Sequence, residues 1–254
     1  MSLSVLKRLL PVRKSCYLLF TTYCILLLAA CGKSGEITGI VPENITGVNM
    51  LSYEEREAGT DSYIVRVLVS PGFVRLDDGY TASDFALLDR QSKTVFSVSH
   101  EDRSILVIEY QPGDVALPPD IKLTETRTPD DAAPAIAGKQ PVHINYLATG
   151  DLCFQAVTVP DVMGDAVAGM AEYAEVLAER QLNNMESVPV SMQTPCFLSR
   201  YVYAAARQYR DGLPVQEWDG SGYFRTLIDF NENETVPAAL FELPGAYERF
   251  SPGP

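Results

Sequence analysis

"YIVRVLVSPGFVRLDDG", Tyr63–Gly79, decides how the chain is read. Ile64, Val65, Val67 and Val69 give its first half strong β character, because branched side chains fit a pleated, half-buried surface. Phe73, Val74 and Leu76 follow, and Asp77-Asp78-Gly79 closes the run with a turn signal. Working outward, "VNMLSYEERE" precedes this stretch, and "DFALLDRQSK", "TVFSVSHEDR" and "SILVIEYQPG" follow it. The runs recur every ten residues or so with no helix between them, which predicts a meander of adjacent antiparallel strands.

Beyond the meander, Pro112 to Pro141 is rich in Pro, Asp, Thr and Ala and reads as a loop crossing over it. "VHINYLATGDLCFQAVTVP" then supplies two strands turning at Thr149-Gly150-Asp151. Two helical patterns come next. In residues 161–185, Met163, Val167, Met170, Ala174 and Leu177 recur as one stripe, with Glu172, Glu175, Glu179 and Arg180 off it. "PCFLSRYVYAAARQYRDG" has Pro195 at its start, Gly212 as a stop and a stripe of Leu198, Val202, Ala205 and Tyr209. The tail returns to β in "LPVQEWDG", "YFRTLIDFNE" and "ALFELPGAYERF".

The first 30 residues are a different kind of sequence. They hold Lys7, Arg8, Arg13 and Lys14, no acid, and an apolar run ending in small residues, the pattern of a secretory signal. The 16 uncharged residues from Ser15 to Ala30 fall short of the roughly 20 that span a bilayer. Leu28-Ala29-Ala30-Cys31 resembles the bacterial lipobox. The resemblance implies that Cys31 is acylated and becomes the first residue of the mature protein. Two or three acyl chains, at about 0.8 kcal/mol per buried methylene, would hold it on a membrane. Gly32, in place of an aspartate, points to the outer membrane of a Gram-negative bacterium, facing the periplasm. Residues 31–47 read as lipidated terminus and tether, and 48–254 as one domain.

Removing the signal leaves 16 basic against 33 acidic residues, a net charge of −17 where the whole chain has −13. Such acidity argues against nucleic acid or an anionic membrane surface as partner. Of five cysteines, Cys16 and Cys24 leave with the signal and Cys31 is acylated. Cys153 and Cys196 remain, an even pair that in an oxidising compartment reads as a disulfide. It would close a loop of about 44 residues, worth about 4 kcal/mol on a chain-entropy estimate. With no CxxC and only His100 and His143 as imidazoles, no metal or other cofactor is expected.

Catalytic patterns do not hold up. Ser99, His100 and Asp102 sit together in sequence, but a triad draws its members from separate elements. Asp219-Gly220-Ser221-Gly222 lacks the first glycine of a nucleophile elbow. Asp229, Asn231 and Asn233 match the opening of an EF-hand loop, yet Glu234 stands at its glycine and Leu240 at its closing glutamate. The chain is therefore not expected to be an enzyme.

The C-terminal third carries a resemblance. Gly212-Leu213-Pro214, Val236-Pro237, Leu240-Phe241, Leu243-Pro244 and Tyr247, with "RLDDG" and "DFALLDRQSKTVFSV" upstream, resemble the LolA/LolB-like superfamily. That resemblance implies an α+β fold, a strongly curved antiparallel sheet or half barrel with two or more helices over its concave face. It further implies an apolar hollow that binds a lipid moiety or hydrophobic peptide, with Met163, Val167, Met170 and Leu177 as contacts. The same stripe has a second reading, a helix packed directly on the sheet. On that reading the protein is a scaffold or accessory subunit of an envelope complex, with a filled core.

Overall fold

The computed structural model describes residues 43–80, 83–111 and 116–251. Cys31, the signal and most of the tether lie outside these residues.

Six strands form the first meander: β1 (Asn44–Arg56), β2 (Tyr63–Val69), β3 (Phe73–Asp77), β4 (Phe85–Asp89), β5 (Thr94–Ser99) and β6 (Ser104–Glu109). A second meander comprises β7 (Leu123–Pro129), β8 (Val142–Ala148), β9 (Asp151–Val159), β10 (Leu213–Trp218) and β11 (Phe224–Pro237). The two share a seam where β1 pairs antiparallel with β11 along nearly their whole length. A short last strand, β12 (Glu248–Phe250), runs parallel to β6. The result is one open sheet of 12 strands, ordered β12-β6-β5-β4-β3-β2-β1-β11-β10-β9-β8-β7.

This corrects the expected half barrel with two helices over its concave face. The sheet is mixed, large and unclosed, and among the described residues only one long helix, α1 (Gly164–Asn183), covers it. The second helix ends after one turn, α2 (Pro195–Leu198). A wider turn over Ser199–Tyr203 follows, and the backbone breaks at Ala204 (φ −143°, ψ 39°) before a 3-10 turn at Arg207–Asp211. The break lets Arg207 donate to the carbonyls of Leu147 and Thr124, contacts a straight helix would not reach. The expected 112–141 loop also contains β7, an exposed edge strand whose Thr-rich sequence shows no apolar alternation.

Alternation along the strands fills both faces of the first meander. On one face Leu51, Val67, Val74 and Leu88 pack beneath α1. Arg90 ties that helix down, bonding Glu172 (2.8 Å), Asp165 (3.0 Å) and the carbonyl of Ser70 (2.9 Å). On the opposite face Leu68, Phe85, Leu87 and Ile105 pack against Phe241, Leu240, Leu243 and Tyr247. The tail expected as a strand is thus mainly a cover. Its motif residues are apolar because they seal the back of the sheet.

An ionic clasp holds that cover. Asp77, with no exposed side-chain surface, bonds Arg66 (2.8 Å) and Arg75 (2.6 Å). Arg75 also donates to the Leu240 carbonyl (2.6 Å). Burial pushes the Asp77 carboxyl up, but the two guanidinium groups more than offset this and hold it below the usual carboxylate range. A folded-state pKa below the unfolded value gives stability that is complete above the unfolded pKa, about 3.9. It is lost as pH falls through the folded value. Asp77→Asn is therefore expected to unfold at lower urea than wild type at neutral pH, with the gap closing below about pH 4. Urea midpoints measured from neutral to acid pH check this.

Candidate functional site

The space between α1 and the sheet is where a ligand cavity would lie. Met163, Val167, Met170 and Leu177 all face it and are 6%, 9%, 4% and 2% exposed. Only about 10 Å³ remains open there, room for about one water. Val65, Val67, Val74, Tyr173 and Tyr209 bound it, with Glu55 and Arg225 also in its wall. The close approach has a sequence cause. A Cβ on Gly169 would lie 2.8 Å from Val74 Cγ2 and 2.9 Å from Val69 Cγ1, so the missing side chain lets the helix settle onto β2 and β3.

Three buried charges line up across the floor. Glu55 on β1 is paired with Arg225 on β11, which is paired with Glu217 on β10, so register alone places them in one row. They are 2%, 5% and 3% exposed. Arg225 Nε lies 3.1 Å from Glu55 Oε1, an ionic contact whose N–H is not aimed for a hydrogen bond. Arg225 Nη1 donates to Glu217 Oε2 at 3.3 Å. Its guanidinium also stacks 3.6 Å from the centre of the Tyr53 ring. Burial works against the Arg225 charge, but the Glu55 carboxylate holds it protonated, well above the ordinary value. Burial, then the Glu217 charge, pushes the Tyr209 hydroxyl up to about 12. The row was not legible in sequence, because Glu55 and Arg225 are brought together only by the first and penultimate strands.

Cys153 and Cys196 are bonded, with sulfurs 2.07 Å apart, joining β9 to α2. Strict alternation would turn Cys153 away from Phe154. A register shift between Tyr146 and Leu147 leaves Cys153 unpaired on β9, and it packs in the same cluster as Phe154, Ile144 and Cys196. Such a bulge re-aims a side chain.

The rejected catalytic residues have structural partners. His100 Nδ1 meets the Tyr247 hydroxyl at 2.8 Å, Ser99 donates to Asp102 at 3.2 Å, and His100 packs on Phe85. Asp229, Asn231 and Asn233 lie along β11 rather than in a loop. Among the described residues no group of three His, Cys, Asp or Glu side chains is placed to hold a metal. Among them, too, no helix is long and apolar enough to cross a membrane.

No protein-family model matches the chain, and no curated protein sequence does. Among solved structures, an uncharacterised conserved protein from Thermus thermophilus aligns with a TM-score of 0.39 and 11% identity. That alignment covers 81% of this chain and 91% of the other. PNGF-II aligns in its C2 crystal form with a TM-score of 0.36 and 8% identity, over 81% of this chain and 31% of its own. The chain spans about a third of PNGF-II, and likenesses this low carry no argument.

The ionic row carries its own test. Arg225→Met removes the one cation between two buried carboxylates and is expected to cost about 3–5 kcal/mol in denaturant unfolding. Replacing all three charges with apolar residues is expected to restore most of that stability. A loss under about 1 kcal/mol for Arg225→Met would show that water, not Arg225, solvates the carboxylates.

Proposed function

We propose that the chain is a lipid-anchored, non-catalytic binding protein of the bacterial envelope that works through its surface, with its core filled. The anchor is Cys31, acylated after cleavage behind Ala30, and the setting is the periplasmic face of the outer membrane. One observation carries the choice between the two forms of this reading. The space beneath α1 holds about 10 Å³, while an acyl chain needs a cavity of hundreds of cubic ångströms. The side chains of Met163, Val167, Met170 and Leu177, offered as ligand contacts, are taken up in packing instead.

The fold supports a role at a surface in a second way. The described sheet begins at Asn44, and β1 runs 13 residues from there to Arg56. At about 3.3 Å per residue, the far end of β1 stands about 40 Å along the strand from the tether. Whatever binds near that end is held clear of the membrane. The charge of the mature chain keeps the body itself off an anionic bilayer.

Labelling cells with an alkynyl palmitate tests the anchor. Wild-type chain is expected to carry the label and sediment with membranes, and Cys31→Ser is expected to lose the label and appear in the soluble fraction. Equal labelling of both chains would overturn the assignment of Cys31, and an unlabelled wild type would overturn the anchor.

A further inference from the structure

One face of the second meander lies opposite the helices and the disulfide. Register across β7 to β11 brings Thr128, His143, Val157, Gln216 and Thr226 into one row. The neighbouring row is Thr126, Asn145, Gln155, Trp218 and Phe224. The helical segments that contact β8–β10 do so from the other side, through the cluster of Ile144, Phe154 and Leu198. The tail cover packs on the first meander, against β1 and β3. Among the described elements, neither of these covers packs on the two rows, apart from Val157, which is partly buried against the core beneath α1.

The chemistry of this face differs from that of the rest of the chain. Ten adjacent positions hold no carboxylate, ammonium or guanidinium group, in a protein with 33 acidic and 20 basic residues. Six of the ten are amides or hydroxyls. On β10, beside Phe224, Trp218, the single tryptophan, has its ring centre 5.3 Å from that of His143 with a tilt of 32°. Thr126, Thr128 and Gln216 are exposed, and Asn145 is oriented by its bond to Thr126 Oγ1 (3.0 Å). His143 Nε2, Asn145 Oδ1 and Thr226 Oγ1 lack any hydrogen-bond partner in the protein. Polar atoms at such positions are ordinarily paired, so these three mark unmet hydrogen-bonding capacity just beneath the exposed Thr126, Thr128 and Gln216.

From this juxtaposition we infer that the Trp218 face is a platform for a neutral glycan. A pyranose ring offers an apolar C–H face and a rim of hydroxyls. The indole matches the first, being broad, rigid and amphipathic. The amides and hydroxyls of the two rows match the second, since each can both donate and accept. Strands about 4.8 Å apart space these groups at close to one sugar ring per strand. The rows carry no charge to hold an acidic polysaccharide, which the acidic mature chain would repel, and the nearest charges in register, Glu54 and Arg56 on β1, stand only at their edge. A protein partner is the competing occupant. It is disfavoured by the six amide and hydroxyl positions that surround the small apolar group of Trp218 and Phe224, because docking proteins bury broader apolar centres dry.

The inference rests on reading the chain as a surface-acting binding protein, and its test is independent of the anchor. Trp218 emission reports on the face directly. The full chain, in a detergent without a sugar head group, is titrated with chitotetraose, cellotetraose and, as the charged control, polygalacturonate. A saturable change with a neutral tetrasaccharide is expected at submillimolar to millimolar concentration, with none from the charged polymer. Gln155→Ala/Gln216→Ala is expected to weaken it at least about tenfold. The exposed Gln216→Ala alone serves if the double variant does not fold. A flat titration through millimolar sugar, an equal response to polygalacturonate, or an unchanged affinity in the folded variant would each overturn the platform. A flat titration with palmitate labelling intact would leave the anchor standing.

Discussion

Arg225 sits between Glu55 and Glu217 on three neighbouring strands, and the sheet is organised around that row. Each meander is built from sequence neighbours and could form on its own terms. Their union depends on the β1–β11 pairing, the one place where the start and end of the chain must find each other. A slip of one residue there would turn the charges to the other face and set the next residues inward. One guanidinium serving two carboxylates makes that slip costly. Buried ion pairs add little net stability, yet a misregistered one leaves bare charges in the core. The row therefore acts mainly as a register pin.

With the seam fixed, the other layers follow. Helix α1 settles on one face of the first meander, where Gly169 and the tether of Arg90 let it lie close. The tail seals the opposite face and is held by Arg75 through Leu240. The disulfide then brings α2 onto β9, covering the inner face of the second meander. Three of the four half-faces are closed by these means. The remaining one carries Trp218 and stands at the end of β1 away from the tether.

Local signals in the sequence translated well, and distant ones did not. The β-branched runs of the first meander are strands, and Val167, Met170 and Leu177 form the buried side of α1, with Met163 buried at its cap. Thr149-Gly150 turns with both residues at positive φ, as a tight hairpin needs. β7 was hidden because an exposed edge strand of alternating Thr and charge has no apolar period to read. The second helix was overextended because its stripe is real, but the side chains of Arg207 and Tyr209 serve tertiary partners that a straight helix cannot reach. The ionic row and the Trp218 face are both products of strand register. Their members are scattered over strands whose pairing no local pattern specifies.

The distinction between a hollow and a filled core decides how this protein meets its ligand. Titrating a fluorescent long-chain fatty acid into detergent-free Cys31→Ser chain measures it directly. A space of about 10 Å³ beneath α1 leads to the expectation of no saturable binding. One-to-one saturable binding that is weakened by Ala174→Trp would contradict it and restore the cavity.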